Sequence, residues 1–418
     1  MSHTGVPMSQ EKVLEADQEG SSTDGVGATL VAILLCHVVV DALAALMPSS
    51  LGLVEARFSL TTEQAAWLLG LGSLTSGLAQ PICAVFSDRL ATRHLGSLGV
   101  GLAALGIGAI CLADGLVALA ITYACGMIGV GMFHPVAAST IGQLRSDRRN
   151  AAVSLFFVAG MTGGALGALT WPRLLSSQSG FHILPWTVAP VLVMALLLQR
   201  NYAQLTPLRK HHERHLHRTS ARTPWGGIFV LYVAASLKFC VNLALLYLYV
   251  RWVQRSFGLS NPEWSAEAIA AASAPFIGNL NACTLTGMAA GGISAGVLVR
   301  SGREKFPLIV IPILFAPLVA LFPWASLKGG YLLAFAAGVG FASMVPVTIA
   351  LAQQMLPHRP NLASSLMMGG AWAVAMLGPR FAELGVTHWG INNTFYLTAG
   401  ALAISGIVCI AIRSPREV

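Results

Sequence analysis

Charge is scarce in this chain. Of its 418 residues only 10% are charged, against about a quarter in an ordinary soluble domain. With 55% hydrophobic residues and a mean hydropathy of +0.69, the chain cannot cover its apolar surface with polar groups. That excludes an ordinary water-soluble fold and makes a bilayer its natural solvent. Paired cysteines are missing too. All seven (Cys36, Cys83, Cys111, Cys125, Cys240, Cys283 and Cys409) lie in apolar runs without a CxxC. They read as small buried hydrophobes, not as disulfides or metal ligands. No ATP-binding P-loop occurs; "GLGSLTSG" (70–77) is glycine-rich helix packing. No nucleophile constellation is present, so an enzyme, a cofactor and a resident metal are not expected. The net charge of +8 comes with no soluble domain to carry a basic patch, which excludes a nucleic-acid binder. A cleavable signal is not expected either, because residues 1–26 are polar and acidic. That tail is expected to be disordered.

Apolar runs fill the rest. A helix needs about 20 apolar residues to cross the hydrocarbon core. Twelve such runs occur, near 28–53, 63–86, 95–113, 116–144, 150–176, 182–199, 225–254, 275–299, 306–324, 330–356, 361–386 and 393–412. With the N-terminus inside, eighteen Lys and Arg residues fall in inner segments and five in outer ones, with Lys238 and Arg380 inside spans. The bias of basic residues toward cytoplasmic loops then places both termini in the cytoplasm, in an inner membrane crossed many times.

The chain also repeats itself. At an offset of 211, Gln143 meets Gln354, Arg148 meets Arg359 and Asn150 meets Asn361. The same offset pairs Ser154-Leu155 with Ser365-Leu366 and Pro135-Val136 with Pro346-Val347. The long polar stretch 200–223 separates the copies. The expected organisation is an all-α membrane protein with twelve transmembrane helices in two pseudo-symmetric six-helix bundles. The boundaries are a 1–26 tail, a 27–199 bundle, a 200–223 cytoplasmic linker, a 224–413 bundle and a 414–418 tail. Two repeats flanking a midplane cavity form a transporter architecture, which works by alternating access.

On these features the chain resembles the major facilitator superfamily. Its "FSDRLATRH" loop after span two keeps Asp88, Arg89 and Arg93 of the superfamily's loop, with Ala91 and Thr92 where Gly and Arg are usual. The related loop, "AGVLVRSGREK", keeps Arg300, Gly302 and Arg303 but has Val299 where an Asp would stand. More narrowly it resembles the fosmidomycin-resistance branch of drug exporters. The resemblance rests on His37 and Asp41 four apart, on "FHPVA" with His134, Pro135 and Ala137, and on Ala152, Ser154 and Phe156 followed by Gly160, Gly163 and Gly167. Leu356, Pro357 and Arg359 complete it. The stretch "NPEWSAEAIAAAS" (261–273) lengthens one outer loop beyond its counterpart.

Charged residues in a span cost roughly 2.5–3.5 kcal/mol at the bilayer centre, so they usually face a hydrated cavity or a partner. His37 and Asp41 lie about 14 and 20 Å into span one, on one face. Lys238 and Asn242 repeat that spacing in span seven, and His134 lies near mid-depth of span four. In the fold that the resemblance implies, these five converge on one cavity. Asp41 then exchanges protons with His37 as relay, while Lys238, Asn242, His134 and Gln80 meet substrate. The plainer alternatives are a fixed Asp41–Lys238 ion pair, a hydrogen-bonded kink at His134, and helix-gluing roles for Gln80, Asn279 and Asn281. Phe156 and Trp372 either stack on substrate or pack the core. Arg380 and Glu383 form a local pair or an outer gate. Asp88, Arg89, Arg145 and Arg149 are expected to latch one conformational state. "KHHERHLHR" (210–218) is expected to be a solvated basic linker near anionic headgroups, with adventitious metal binding as the alternative.

Three functions fit. The first is a proton-coupled exporter of a small anionic or amphiphilic compound. The second is a proton symporter importing a nutrient or metal chelate. The third is a receptor or scaffold that has lost transport. The expected partners are a small-molecule substrate, protons and the lipid bilayer, with the protein acting as a monomer.

Overall fold

The computed structural model describes residues 8–90, 93–144, 149–177, 180–205, 224–299, 302–356 and 360–412. Side chains are described for 26–87, 93–144, 152–177, 180–205, 224–299, 302–356 and 362–412. All regular structure among these residues is helical. Eleven helical stretches are long and apolar enough to cross a bilayer. Large apolar side chains such as Leu112, Trp186, Val297 and Trp324 stay exposed around them, as a protein solvated by lipid requires.

The first stretch comprises α1 (Met8–Ala44) and α2 (Leu46–Phe58). Pro48 explains the break, since its ring clashes with the carbonyl four residues back, at Ala44. Just after it, the Ala45 carbonyl accepts from both the Ser49 hydroxyl at 2.6 Å and the Ser49 N–H at 3.2 Å. α1 extends back to Met8, into the tail expected to be disordered. Glu, Gln, Leu and Ala there are good helix formers, and extending an existing helix avoids a new nucleus.

Then follow α3 (Thr62–Leu90), α4 (His94–Gly108), α5 (Leu116–Leu144), α6 (Arg149–Leu175) and α7 (Leu184–Gln204). The second half contains α8 (Trp225–Ser260), α9 (Ala266–Leu298), α10 (Lys305–Ala320) and α11 (Leu327–Met355). α9 starts nine residues before the expected span. The Ser265 hydroxyl caps it by accepting from Ala268 N at 3.2 Å, so most of the presumed extra loop is about two added helical turns.

The last stretch, Leu362–Ala411, spans 50 residues, where the hydropathy pattern suggests two helices. It contains α12 (Pro360–Ser365), a π-turn at Leu366–Gly370, α13 (Ala371–Val374) and α14 (Leu377–Val408). Gly390 interrupts α14 at φ +78° and ψ 163°. The chain reverses there. A Cβ on Gly385 would lie 2.7 Å from Thr394 Cγ2, two positions about 14 Å apart along an unbroken helix.

α6 packs on α1 through Gly163 and Gly167, which leave no room for a Cβ against the Val38 and Ala42 carbonyls. Trp171 Nε1 donates to the same Ala42 carbonyl at 2.6 Å. Close backbone approach through small residues is the usual device where lipid supplies no hydrophobic drive for helix association. Across the two halves of the chain, Asn281 Nδ2 donates to Pro48 O at 2.9 Å and Arg173 donates to Asn279 Oδ1 at 2.8 Å.

Candidate functional site

The α1–α6 contact sets up a buried polar cluster. α1 supplies His37 and Asp41 from one face, and α5 supplies His134, just before Pro135. His37 Nε2 lies 3.4 Å from Asp41 Oδ2, and His134 Nε2 lies 3.2 Å from Asp41 Oδ1. The two Nε2 atoms are 3.2 Å apart. Phe156 of α6 stacks on the His37 ring at 3.8 Å, and Phe133 closes the other side at 5.7 Å. His37 is buried, while Asp41 and His134 keep side-chain exposures of 15% and 26%. The cluster is walled by aromatic rings and open on one side.

Proton positions follow from geometry. His134 Nδ1 lies 2.7 Å from the Val130 carbonyl. A carbonyl only accepts, so Nδ1 carries a hydrogen. In a neutral His134 the Nε2 lone pair then faces a carboxylate oxygen, and two acceptors at 3.2 Å repel. A proton on His37 Nε2 serves only one of its two neighbours. One further proton between His134 and Asp41 completes the cluster as an imidazolium–carboxylate arrangement. Without that proton the cluster carries a net negative charge; with it the charge is zero. His37 Nδ1 is buried without a hydrogen-bond partner among the described residues.

Lys238 and Asn242 do not join this cluster. They line a separate small cavity with Phe239, Val345, Thr348 and Met367. Lys238 Nζ lies 3.9 Å from Cys409 Sγ. Among the described residues no carboxylate pairs with it, so the Asp41–Lys238 ion pair does not form. Asn242 Oδ1 is buried without a donor among the described residues. The repeat explains the placement: the 211-residue offset carries His134 onto Val345 and Phe156 onto Met367. The cavity is therefore the second-half counterpart of the triad. A lone cation and an unsatisfied acceptor replace the His–Asp–His set, with thioether and aromatic walls around them.

The other expected residues fall elsewhere. His134, expected to meet substrate, is engaged in the triad. Gln80 packs where α3 meets Gly369, 3.0 Å from a Cβ placed there. Arg380 and Glu383 pair, and Arg380 also reaches Glu63 of α3 at 2.9 Å. Thr62 donates to Glu383 at 3.4 Å. A second pair, Arg251 with Glu55, joins α8 to α2 at the same end of the bundle. The sequence reading missed Glu55, Glu63 and Arg251. They sit at span ends, where charge is unremarkable, and only the packing shows that they bridge the two halves. The latch residues Asp88, Arg89, Arg145 and Arg149 lie outside the residues whose side chains are described, as does the 210–218 stretch.

The sequence pattern of the family described as the Major Facilitator Superfamily matches residues 30–279 and 264–418. The chain is 23% identical over 392 residues to the Fosmidomycin resistance protein of Escherichia coli (strain K12), covering 93% of each chain. It is 24% identical over 300 residues to the Cyanate transport protein CynX of the same strain, covering 69% of this chain and 71% of that one. In three dimensions it is similar to a bacterial homologue of the human lysosomal transporter Spinster, solved in an inward-facing and occupied conformation. The TM-score is 0.68 at 16% identity, over 92% of this chain and 96% of the other.

Proposed function

The chain belongs to the major facilitator superfamily, a multi-pass membrane transporter of small molecules and not an enzyme, and from that premise we propose that it couples proton movement to the efflux of a small anionic or amphiphilic compound by alternating access. The observation that carries this reading is the proton-sized gap in the His37–Asp41–His134 cluster. One proton switches the cluster between charged and neutral forms inside a span, where an uncompensated charge costs several kcal/mol. Asp41 is the proton-exchanging carboxylate, and His37 and His134 hold and relay the proton.

Lys238 supplies the cation for an anionic group, and Asn242 Oδ1 accepts from a donor on the same compound. The surrounding methionine and phenylalanine side chains take an apolar body. A relative named for resistance suits outward transport, and one named for cyanate transport suits a small anion. Arg380, Glu383, Glu63, Arg251 and Glu55 form the gate at the outer face. Asp88, Arg89, Arg145 and Arg149 form the latch at the inner one. The reversal at Gly390 divides the last stretch into two spans. The proposed organisation is thus twelve spans in bundles 27–199 and 224–413, joined by a cytoplasmic linker at 200–223. Both termini lie in the cytoplasm, and the protein acts as a monomer in the inner membrane.

The test uses purified protein in liposomes loaded with a pH-sensitive dye. A proton gradient is imposed and small anions, phosphonates and lipophilic acids are screened, for wild type and Asp41→Asn. Substrate-dependent proton flux lost in Asp41→Asn is expected. Undiminished coupled flux in Asp41→Asn would remove the carboxylate from the coupling role.

A further inference from the structure

We infer that His37, Asp41 and His134 form a binding site for a divalent transition-metal ion of the zinc type, with an open fourth position. Zinc binds imidazole nitrogen and carboxylate oxygen at about 2.0–2.1 Å, and a tetrahedron of that size has edges of about 3.3 Å. The nearest approaches are close to that spacing, at 3.2 Å between the two Nε2 atoms, 3.4 Å from His37 Nε2 to Oδ2 and 3.2 Å from His134 Nε2 to Oδ1, the two carboxylate contacts being to different oxygens. One donor atom from each residue lies within 4.8 Å of the others.

The supporting shell suits a metal at His134, whereas His37 Nδ1 has no such outer partner among the described residues. His134 gives its Nδ1 hydrogen to the Val130 carbonyl at 2.7 Å, which leaves Nε2 as the free lone pair. Metal-ligating histidines are usually oriented by such an outer hydrogen bond. Phe156 fixes the His37 ring by stacking. The carboxylate straddles both histidines, so either of its oxygens serves after a small rotation. Two imidazoles favour zinc, copper or nickel over magnesium or calcium, which demand oxygen. Partial exposure of Asp41 and His134 gives the ion an entry side and puts the fourth position there, where water or a small anion completes the tetrahedron.

This departs from the expectation of no metal site, because only two of the three ligands are visible as a pattern on one helix. The third arrives 97 residues later. Metal binding needs the same lone pairs that hold the shared proton. Zinc and proton therefore exclude each other, and zinc blocks coupled transport. That consequence rests on the proposed proton coupling; the binding does not.

The experiment uses the full chain in detergent with His211, His212, His215 and His217 replaced by Ala, which removes the histidine-rich linker as a competing site. Zinc is titrated against a chromophoric chelator, and Co²⁺ is added as a spectroscopic probe. Asp41→Asn and His134→Gln, which preserve shape, are made in the same background and checked for monodispersity. One zinc per chain is expected, with the intense visible absorption of low-coordinate Co²⁺. Both variants are expected to weaken zinc by more than about 100-fold, since outer-shell partners alone are worth about 10–100-fold. Absence of saturable binding, or binding unchanged in both variants, overturns the inference. Proton flux is then followed in liposomes with zinc or with a strong chelator. Retained zinc binding without any proton flux upholds the metal site and removes the transport reading. Normal flux without zinc binding does the reverse.

Discussion

Gly160 sits on α6 directly against the triad, and adding one methyl group there tests whether the cluster is rigid. An alanine Cβ would lie 2.5 Å from both Asp41 Oδ2 and His37 Nε2, where ordinary contact begins at 3.4 Å. The triad must therefore give way by about 0.9 Å, from 2.5 to 3.4 Å. His37 has little room to do so, being 3% exposed and backed by Phe156 at 3.8 Å. Overpacking of this kind costs about 1–3 kcal/mol. It also pushes contacts of 3.2–3.4 Å beyond hydrogen-bonding range. A displacement of about 1 Å in a functional cluster can cost about 100-fold in rate. Gly160→Ala is thus expected to lower coupled proton flux in liposomes by about 10–100-fold while the protein stays folded and monodisperse. Gly101→Ala is the control, because its Cβ meets Leu192 at 3.5 Å, an ordinary contact. Wild-type flux with wild-type pH dependence in Gly160→Ala would refute the reasoning, since it would mean that the cluster repacks freely.

Removing the cation of the second-half cavity, in Lys238→Met, is expected to raise KM for an anionic substrate by about 10–100-fold, because hydrogen bonds to charged groups contribute about 1.5–3 kcal/mol; unchanged KM would move the anion site elsewhere. Arg251→Ala strips Glu55 of its partner and leaves a part-buried carboxylate uncompensated, a loss of about 3–5 kcal/mol for a fully buried pair and less here. Alkylation of a cysteine introduced as Ser50→Cys, with the native cysteines replaced, is expected to speed up by at least about 10-fold as that face opens. Equal rates would show that the pair does not hold the face shut. Gly390→Ala forces a side chain into φ/ψ space that is essentially glycine-only, at about 1–3 kcal/mol. Its yield of monodisperse protein is expected to fall, and normal yield with normal thermal stability would argue against a sharp reversal at that residue.

Most of the scaffold is legible from hydropathy because the bilayer imposes one rule: a spanning segment must satisfy its own backbone, so an apolar run of sufficient length becomes a helix. The break at Pro48 has a local cause but was not expected, since the run 28–53 passes through it, and Pro81 and Pro135 stay inside α3 and α5. Pro48 divides α1 from α2, since a missing N–H and a clash four residues back are local effects. The start of α9 was misread because apolar counting ignores caps, and Ser265 with the alanine-rich turn after it carries no hydropathy signal. The kink at Gly390 falls in the polar interruption between the last two expected runs, whereas its positive φ carries no hydropathy signal.

The site divides in the same way. A spacing of four residues on a helix places His37 and Asp41 on one face whatever surrounds them, and Lys238 and Asn242 repeat that spacing in α8. Those relations are local or periodic, so the sequence alone carries them. Which side chains then touch across helices depends on axial rotation and on how closely the backbones approach. Gly163 and Gly167 let α6 reach the carbonyls of α1, and that contact aligns Phe156 and Gly160 with His37. The same packing brings His134 to 3.2 Å from Asp41 and leaves Lys238 beside Cys409 in its own cavity. A shift of one helix by a fraction of a turn would pair these groups differently without altering any local preference, and so the three-residue cluster and the Glu55–Arg251 bridge belong to the tertiary structure alone.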